Sequence, residues 1–113
     1  AAMTDTPVPA DAMTADSLTA ARLRALGTEV RLALYRVLVR AGEAGLAAGE
    51  VQVRLGVPPS TLTHHLKTLE GAGLIRRQRE GNVLRCVADF AVMQALVDRL
   101  AAECCADAEG REE

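Results

Sequence analysis

Aromatic residues are nearly missing from this sequence of 113 residues, which has one Phe, one Tyr and no Trp. Its core must therefore be built mainly from Leu, Val and Ala. A single domain of this size buries only about two-thirds of the surface that its unfolded chain exposes. We expect one domain, and we expect two copies to pair so that more apolar area is covered.

Long apolar runs are missing as well, since none approaches the roughly 20 residues that a membrane-spanning helix needs. The first sixteen residues carry three acids, no base and two prolines. A signal peptide would have a basic start and an apolar centre. We therefore predict a cytoplasmic protein with no membrane partner, in which residues 1–15 form a disordered N-terminal arm.

Cysteine is scarce, and its three positions are Cys86, Cys104 and Cys105. The number is odd and two are adjacent, which excludes a framework of paired disulfides. In a reducing compartment these thiols are small packing groups, metal ligands or redox sensors.

The net charge of −2 is unlike that of a DNA-binding protein, but the charges are unevenly distributed. Residues 60–86 contain five bases against two acids, whereas residues 98–113 contain six acids against two arginines. Because charges beyond about one Debye length are screened, a phosphate backbone responds to the local surface. We expect a basic surface in the middle of the chain and an acidic flexible tail over residues 107–113.

Caps, glycines and apolar spacing predict a mainly α chain with one β-hairpin, in the order α-α-α-α-β-β-α. The first helix starts from a cap at Asp16 or Ser17. The hairpin link is Glu80-Gly81-Asn82, and the domain covers residues 16–106. Helices are predicted over residues 17–26, 28–40, 47–55, 59–70 and 89–105, and strands over residues 74–79 and 83–88.

The third and fourth helices are separated by a tight turn, which is the helix-turn-helix pattern. On the fourth helix, Leu62, Leu66 and Leu69 share one side, and His65 lies near them, so we predict a half-buried, hydrogen-bonded histidine. Short polar side chains near a helix N-terminus suit base edges and phosphates. The predicted DNA-binding residues of this helix are Ser60, Thr61, Thr63, His64, Lys67 and Thr68.

The hairpin adds a second basic element beside this helix. Arg77 and Arg79 share one strand face, and a two-stranded wing that carries arginines can lie along phosphates or enter the minor groove. A charged edge that protects a hairpin from aggregation would look the same. Because the two elements are adjacent in one small domain, we predict a winged helix-turn-helix that binds double-stranded operator DNA.

The segment Thr61-Leu62-Thr63-His64-His65-Leu66, followed by Ala72-Gly73-Leu74 and Arg79-Glu80-Gly81-Asn82, resembles the ArsR/SmtB family of metalloregulatory repressors. The resemblance covers roughly residues 18–105. It implies a homodimer with the first and last helices at the interface, two recognition helices facing successive major grooves, and repression that a ligand relieves. One departure is Pro58, where the family usually places a Ser-type cap.

Two sensor sites known in that family do not carry over. The place of its Cys-x-Cys motif reads Ala47-Ala48-Gly49-Glu50, and the last helix has acids but no His. The adjacent Cys104 and Cys105 are similar to the vicinal cysteines of arsenic-responsive members. We predict that Cys104 continues the row of Leu96 and Leu100 and that Cys105 continues the row of Val97 and Ala101. Both cysteines would then lie on the apolar stripe at the end of the last helix.

The effector that this resemblance implies is trivalent arsenic, as arsenite or methylarsenite, because thiolates select soft ions. Its ligands would be Cys104, Cys105 and Cys86. The predicted last helix places Cys86 and Cys104 at its opposite ends, so we expect Cys86 to come from the partner subunit.

The three cysteines also fit other functions. The cysteines could be small interface residues of a constitutive DNA-binding protein, or ligands for antimonite, cadmium or lead. They could also form a redox or persulfide switch, in which Arg85 would lower the pKa of Cys86. An enzyme is not expected, because the sequence has no phosphate loop, no Cys-x-x-Cys motif and no acid/base pair near a cysteine.

Overall fold

The computed structural model describes the backbone of residues 10–111. Its order of elements confirms the predicted winged helix-turn-helix, with one short strand added before the third helix. No helix in the described range is long and apolar enough to cross a bilayer. The elements are α1 (Ala10–Leu26), α2 (Glu29–Ala41), β1 (Leu46–Ala47), α3 (Ala48–Leu55), α4 (Pro59–Gly71), β2 (Ile75–Glu80), β3 (Val83–Ala88) and α5 (Phe90–Ala101), with 3-10 helices at Gly42–Ala44 and Ala106–Arg111.

Local capping explains where several helices begin and end. Thr28 accepts a hydrogen bond from the Arg31 amide at the start of α2, and Asp89 accepts one from the Val92 amide at the start of α5. Gly56 ends α3 in the left-handed region, with φ of 68°. Pro59 is the first residue of α4, as predicted, because its missing N–H has no intrahelical partner there.

Helix α1 begins at Ala10, six residues before the predicted cap, so residues 10–15 belong to a helix and not to a disordered arm. Alanine has the highest helix propensity, and Ala10, Ala12 and Ala15 extend the helix backwards. At the other end, residues 106–111 form a 3-10 helix where we expected a flexible tail. It continues from hydrogen bonds of the Ala106 and Ala108 amides to Glu103 and Cys105 carbonyls. Residues 1–9 and 112–113 of the predicted arm and tail lie outside the described residues.

The wing is a three-stranded antiparallel sheet in the order β1-β3-β2. Glu80 pairs with Val83, so the hairpin link has two residues, Gly81 and Asn82, and the predicted three-residue link was wrong by one. Gly81 has φ of 64°, which suits a two-residue turn with glycine at its first position. Strand β1 pairs Leu46 with Cys86 and was not predicted, because two residues are too few to show a period.

The core lies between α2, α4 and the inner face of the sheet. Its largest fully buried side chains are Leu34, Leu38, Val51, Leu66, Leu69, Leu74, Ile75 and Cys86. Burying a side chain such as leucine contributes about 1.5–3 kcal/mol. The three leucines of α4 are all buried, as predicted, and this fixes which face of α4 points outward.

Candidate nucleic-acid interface and thiol pair

The outward face of α4 carries the polar side chains that the sequence singled out. Ser60, Thr63, His64 and Lys67 are exposed, and Thr61 and Thr68 are half-buried. No side-chain hydrogen bond caps α4 at Pro58. The first amides of the helix are therefore open to an anion, which a helix N-terminus favours through its dipole.

The wing places Arg77 and Arg79 on the same face of β2 but in different surroundings. Arg79, next to the tip, is exposed. Arg77 has a side chain only 19% exposed, and its Nε and Nη2 donate to Glu70 Oε1 at 2.9 and 2.6 Å. This ion pair joins the wing to the last turn of α4. The predicted DNA contacts of both arginines stay predictions.

The other bases of the wing are also close to acids. Arg85 Nε donates to Glu80 Oε1 at 2.9 Å, and Arg76 Nη1 lies 3.5 Å from Asp89 Oδ2. Such exposed ion pairs contribute little to stability. The ion pairs hold the arginine side chains in place, and a phosphate that competes with the carboxylate can bind the same arginines. Glu70 and Glu80 were not identified from the sequence, because ion pairs between different elements have no fixed spacing.

His65 is half-buried, and its Nδ1 lies 3.2 Å from Arg31 Nη1, as expected for a hydrogen-bonded histidine. Burial lowers the pKa of His65, and the neighbouring charges of Arg31 and His64 lower it further. The imidazole is therefore neutral near neutral pH, with a lone pair available for the arginine.

The prediction that Cys104 and Cys105 lie on the last helix is wrong. Helix α5 ends at Ala101, and both thiols are exposed on the turn that follows. Glu103 and Cys105 have φ of 63° and 62°, in the left-handed region. A further acid at the negative end of the helix dipole is unfavourable, which disfavours extension of α5 through Glu103.

The turn brings the two sulfur atoms together, with Cys104 Sγ 3.6 Å from Cys105 Sγ. Neighbouring residues in an α-helix point about 100° apart around the axis, so a continued helix would separate them. Two bonds of about 2.3 Å, the usual zinc–thiolate length, span such a gap when they meet at about 100°. This pair of sulfur donors fits one soft ion.

Cys86 lies apart from this pair, fully buried in β3. Burial raises the pKa of its thiol, against the opposite effects of Arg77 and Arg85, so the expected lowering by Arg85 does not prevail. Within the described residues of one chain, no three Cys, His, Asp or Glu side chains converge as a metal site. A three-thiol site completed by the partner's Cys86 stays a prediction.

Helices α1 and α5 leave apolar side chains uncovered in the single chain. Leu18 and Leu23 of α1 are 48% and 42% exposed, and Val97 and Leu100 of α5 are 52% and 61% exposed. The two helices are joined by an ion pair of 2.8 Å between Arg99 and Asp16. Their apolar residues form a surface that another molecule can bury.

Part of this sequence is similar to known proteins. A family model described as a helix-turn-helix domain matches residues 26–78. The uncharacterized HTH-type transcriptional regulator YceK of Bacillus subtilis (strain 168) is 35% identical over 65 residues, which are 58% of this chain. The matched segment spans 64% of the length of YceK.

Solved structures match over more of the chain. An ArsR-like transcriptional regulator from Rhodococcus sp. RHA1 has a TM-score of 0.68 and 25% identity, covering 84% of this chain and 86% of its own. The homodimeric winged helix-turn-helix DNA-binding domain Mb0332 from Mycobacterium bovis has a TM-score of 0.64 and 24% identity, covering 88% and 92%. The AntR antimony-specific transcriptional repressor has a TM-score of 0.61 and 22% identity, covering 96% and 92%.

These matches agree with the architecture described above, from the turn between α3 and α4 to the wing. Residues 26–78 thus resemble a helix-turn-helix domain, and the chain has the winged helix-turn-helix fold that is also seen in the ArsR-like regulator from Rhodococcus.

Proposed function

We propose that this protein is a DNA-binding transcriptional repressor of the ArsR family, which acts as a cytoplasmic homodimer and is released from its operator by trivalent arsenic. The observation that carries the DNA-binding part is the orientation of α4. Its leucines are buried, so Ser60, Thr63, His64 and Lys67 face outward beside the basic wing.

The proposed contacts divide by chemistry. The open amides at the start of α4, together with Lys67 and Arg79, would bind phosphates and position the protein. The side chains of Ser60, Thr61, Thr63, His64 and Thr68 would meet base edges in the major groove. Arg77 would hold the wing against α4 through Glu70 and could also reach a phosphate.

The proposed dimer joins α1 and α5 of two copies. It would cover the exposed leucines of α1 and the exposed Val97 and Leu100 of α5, as the resemblance to ArsR-type regulators implies. The structure of Mb0332 is described as a homodimer, which supports a dimer for this fold. Two copies would then present two α4 helices to successive major grooves.

The proposed effector site is built on Cys104 and Cys105. Their sulfur atoms are exposed and 3.6 Å apart, so one chain offers two thiolate ligands for arsenite or methylarsenite. Cys86 of the partner subunit is the proposed third ligand, and it would have to leave the core to bind. AntR, a structural relative, is described as antimony-specific, so metalloid sensing occurs on this fold.

Coupling to DNA would run through α5. The thiol pair follows directly after this helix, and Arg99 in its last turn binds Asp16 of α1. A ligand that stabilises one conformation of the Cys104–Cys105 turn would also favour one position of α5 relative to α1. Only a ligand that prefers the dimer form with poor DNA affinity can release the DNA.

The test is a DNA-release titration with arsenite and with methylarsenite, monitored by fluorescence anisotropy. The unaltered protein should dissociate from DNA, and Cys104→Ser and Cys105→Ser should abolish release while DNA binding persists. Cys86→Ser should affect arsenite more than methylarsenite, which needs only two thiols. Release by mild oxidant, with a matching mass change and no response to either arsenical, would instead identify a redox switch.

Mixed dimers test where the site lies. Chains with Cys86→Ser are combined with chains carrying Cys104→Ser and Cys105→Ser. A site that crosses the interface leaves one complete three-thiol site in the mixed dimer, so metalloid binding at half the full stoichiometry is expected. Loss of all three-thiol binding in the mixed dimer would contradict that arrangement.

A further inference from the structure

Helix α4 is held from behind by two arginines that lie outside the DNA-facing surface. Arg31 on α2 donates through Nη1 to His65 Nδ1 and through Nε to the Ala25 carbonyl near the end of α1. Arg22 on α1 donates through Nε to the Ala72 carbonyl at the end of α4, at 3.4 Å. Polar contacts therefore connect α1 to α4 at two points.

We propose that Arg31 is a positioning residue for DNA binding, which fixes the orientation of α4 by bridging the end of α1 to His65. The inference rests on the proposed function, because it assigns a role in DNA binding to a residue that does not touch DNA. The sequence did not identify Arg31 as the partner of His65, since the two residues are 34 positions apart.

The shape of the arginine side chain makes the bridge possible. A guanidinium presents its N–H donors in a rigid planar fork, so one group can serve acceptors on two helices at once. Arg31 uses Nε for α1 and Nη1 for α4. A lysine at this position has a single flexible ammonium and could not hold both acceptors in the same geometry.

The position of His65 makes the bridge relevant to DNA. Its neighbour His64 is exposed on the outward face of α4, and the two ring centroids are 5.5 Å apart. A rotation of α4 that breaks the contact with Arg31 would move His64 and Lys67 with it. The reading face would then meet the major groove at a different angle.

The bridge also has a defined protonation requirement. Arginine has donors only, so His65 Nδ1 must be unprotonated and the neutral ring must carry its proton on Nε2. The charged or titratable groups that act on His65 are Arg31 from α2 and His64 on α4 itself, and α1 faces the bridge with the Ala25 carbonyl. A protonated His65 would put two cations in contact and release α4.

The link to α1 gives the bridge a second consequence. Helix α1 carries Leu18 and Leu23 on the surface assigned to the dimer contact. In a dimer, the two α4 helices must match the spacing of about 34 Å between successive major grooves. Through Arg31, the position of α4 follows the position of α1 and therefore that of the partner.

The experiment measures affinity for a labelled duplex that the unaltered protein has selected from a random-sequence library. Arg31→Ala and His65→Leu should each weaken binding about 10-fold, since both remove a hydrogen bond to a charged group. His65→Asn should restore most of the affinity, because the Asn oxygen occupies the place of Nδ1. Arg36→Ala, an exposed arginine on the same helix, is the matched control and should leave the affinity unchanged.

A pH series tests whether the bridge depends on the protonation state of His65. All proteins carry His64→Asn for this series, so that only His65 titrates on α4. Affinity should fall as the pH decreases through the pKa of His65, which lies below its ordinary value. The variant that also carries His65→Asn should lack this step. NMR of the imidazole nitrogens at neutral pH should show the proton on Nε2.

Failure of the unaltered protein to bind any duplex would overturn the proposed function and this inference with it. DNA binding by the unaltered protein, with unchanged affinity in Arg31→Ala and His65→Leu, would overturn the inference alone. A proton on Nδ1 of His65 at neutral pH would also overturn it, whatever the affinities. If Arg31→Ala does not fold, the His65→Asn comparison and the NMR assignment still decide.

Discussion

Helices α4 and α5 are similar in length and amphipathic, but only α4 has its apolar face covered within a single chain. Helix α4 buries Leu62, Leu66 and Leu69, whereas α5 buries Leu96 and leaves Val97 and Leu100 more than half exposed. Helix α4 therefore has its position fixed by the core of its own chain. The last helix, next to the thiol pair, has an apolar surface that the chain does not cover.

The largest effect is expected from truncating a buried leucine of α4, and an exposed leucine of α5 is the comparison. Leu66→Ala should lower the free energy of unfolding by about 2–5 kcal/mol, because it leaves a cavity in a packed core. Leu100→Ala should change the stability of a single chain by less than about 0.5 kcal/mol, as for other surface positions. Denaturant unfolding at low protein concentration measures both.

Sedimentation of the same two variants sharpens this contrast. If α5 forms the dimer surface, Leu100→Ala should weaken self-association although it hardly affects the single chain. Equal dimer fractions in Leu100→Ala and the unaltered protein would assign the surface elsewhere. A loss of stability in Leu100→Ala as large as that of Leu66→Ala would remove the distinction between the two helices.

The cysteines extend the comparison at a smaller magnitude. Cys86→Ser puts a hydroxyl in a fully buried site and should cost about 1–3 kcal/mol of stability if the hydroxyl finds no partner. Cys105→Ser alters an exposed side chain and should leave stability within about 0.5 kcal/mol. Thermal unfolding without metalloid checks both values. Alkylation at neutral pH should modify Cys105 quickly and Cys86 slowly, and the opposite order would contradict the assigned burial.

The pH dependence of the free energy of unfolding tests the contact between His65 of α4 and Arg31 of α2. The pKa of His65 in the folded protein lies below its ordinary value of 6.5, so the unfolded chain binds this proton more readily. His65 therefore contributes full stability above pH 6.5, and this contribution is lost as the pH falls through its folded-state pKa. The free energy of unfolding, plotted against pH across this range, should have different slopes for the unaltered protein and for His65→Asn. Identical slopes would show that His65 is not perturbed.

A small effect of the opposite sign is expected at Tyr35 of α2. Its hydroxyl is buried and has no hydrogen-bond partner in the described part of the chain, and burial raises its pKa. Tyr35→Phe removes a polar group that already lacks a partner. Stability should therefore stay the same or rise by up to about 1 kcal/mol, and a loss above that value would reveal a partner for the hydroxyl in solution.

The sequence predicted α4 well because several local signals coincide there. Gly56 ends the preceding helix, Pro59 fits the first helical position, and the leucines are spaced for one buried face. The end of α5 could not be predicted in the same way. The segment from Ala101 to Cys105 contains no glycine or proline, and the left-handed conformations of Glu103 and Cys105 have no signal in residue type.

Contacts between different helices and strands could not be predicted from the sequence either. Strand β1 is two residues long, and the pairs Arg31–His65 and Arg77–Glu70 join residues on different elements. Periodicity within one helix or strand carries no information on such contacts. The polar residues of α4 were placed correctly on its outer face because burial of the leucines determines that face.

The adjacency of Cys104 and Cys105 has a consequence for how strongly an ion can be held. Once one sulfur has bonded, the other is already within 3.6 Å, so the second bond forms inside the molecule at a very high effective concentration. No long loop has to close and little chain entropy is lost. Retention of the ion would thus depend on both sulfur atoms together. With only one of the two cysteines present, the ion would transfer readily to small thiols of the cell.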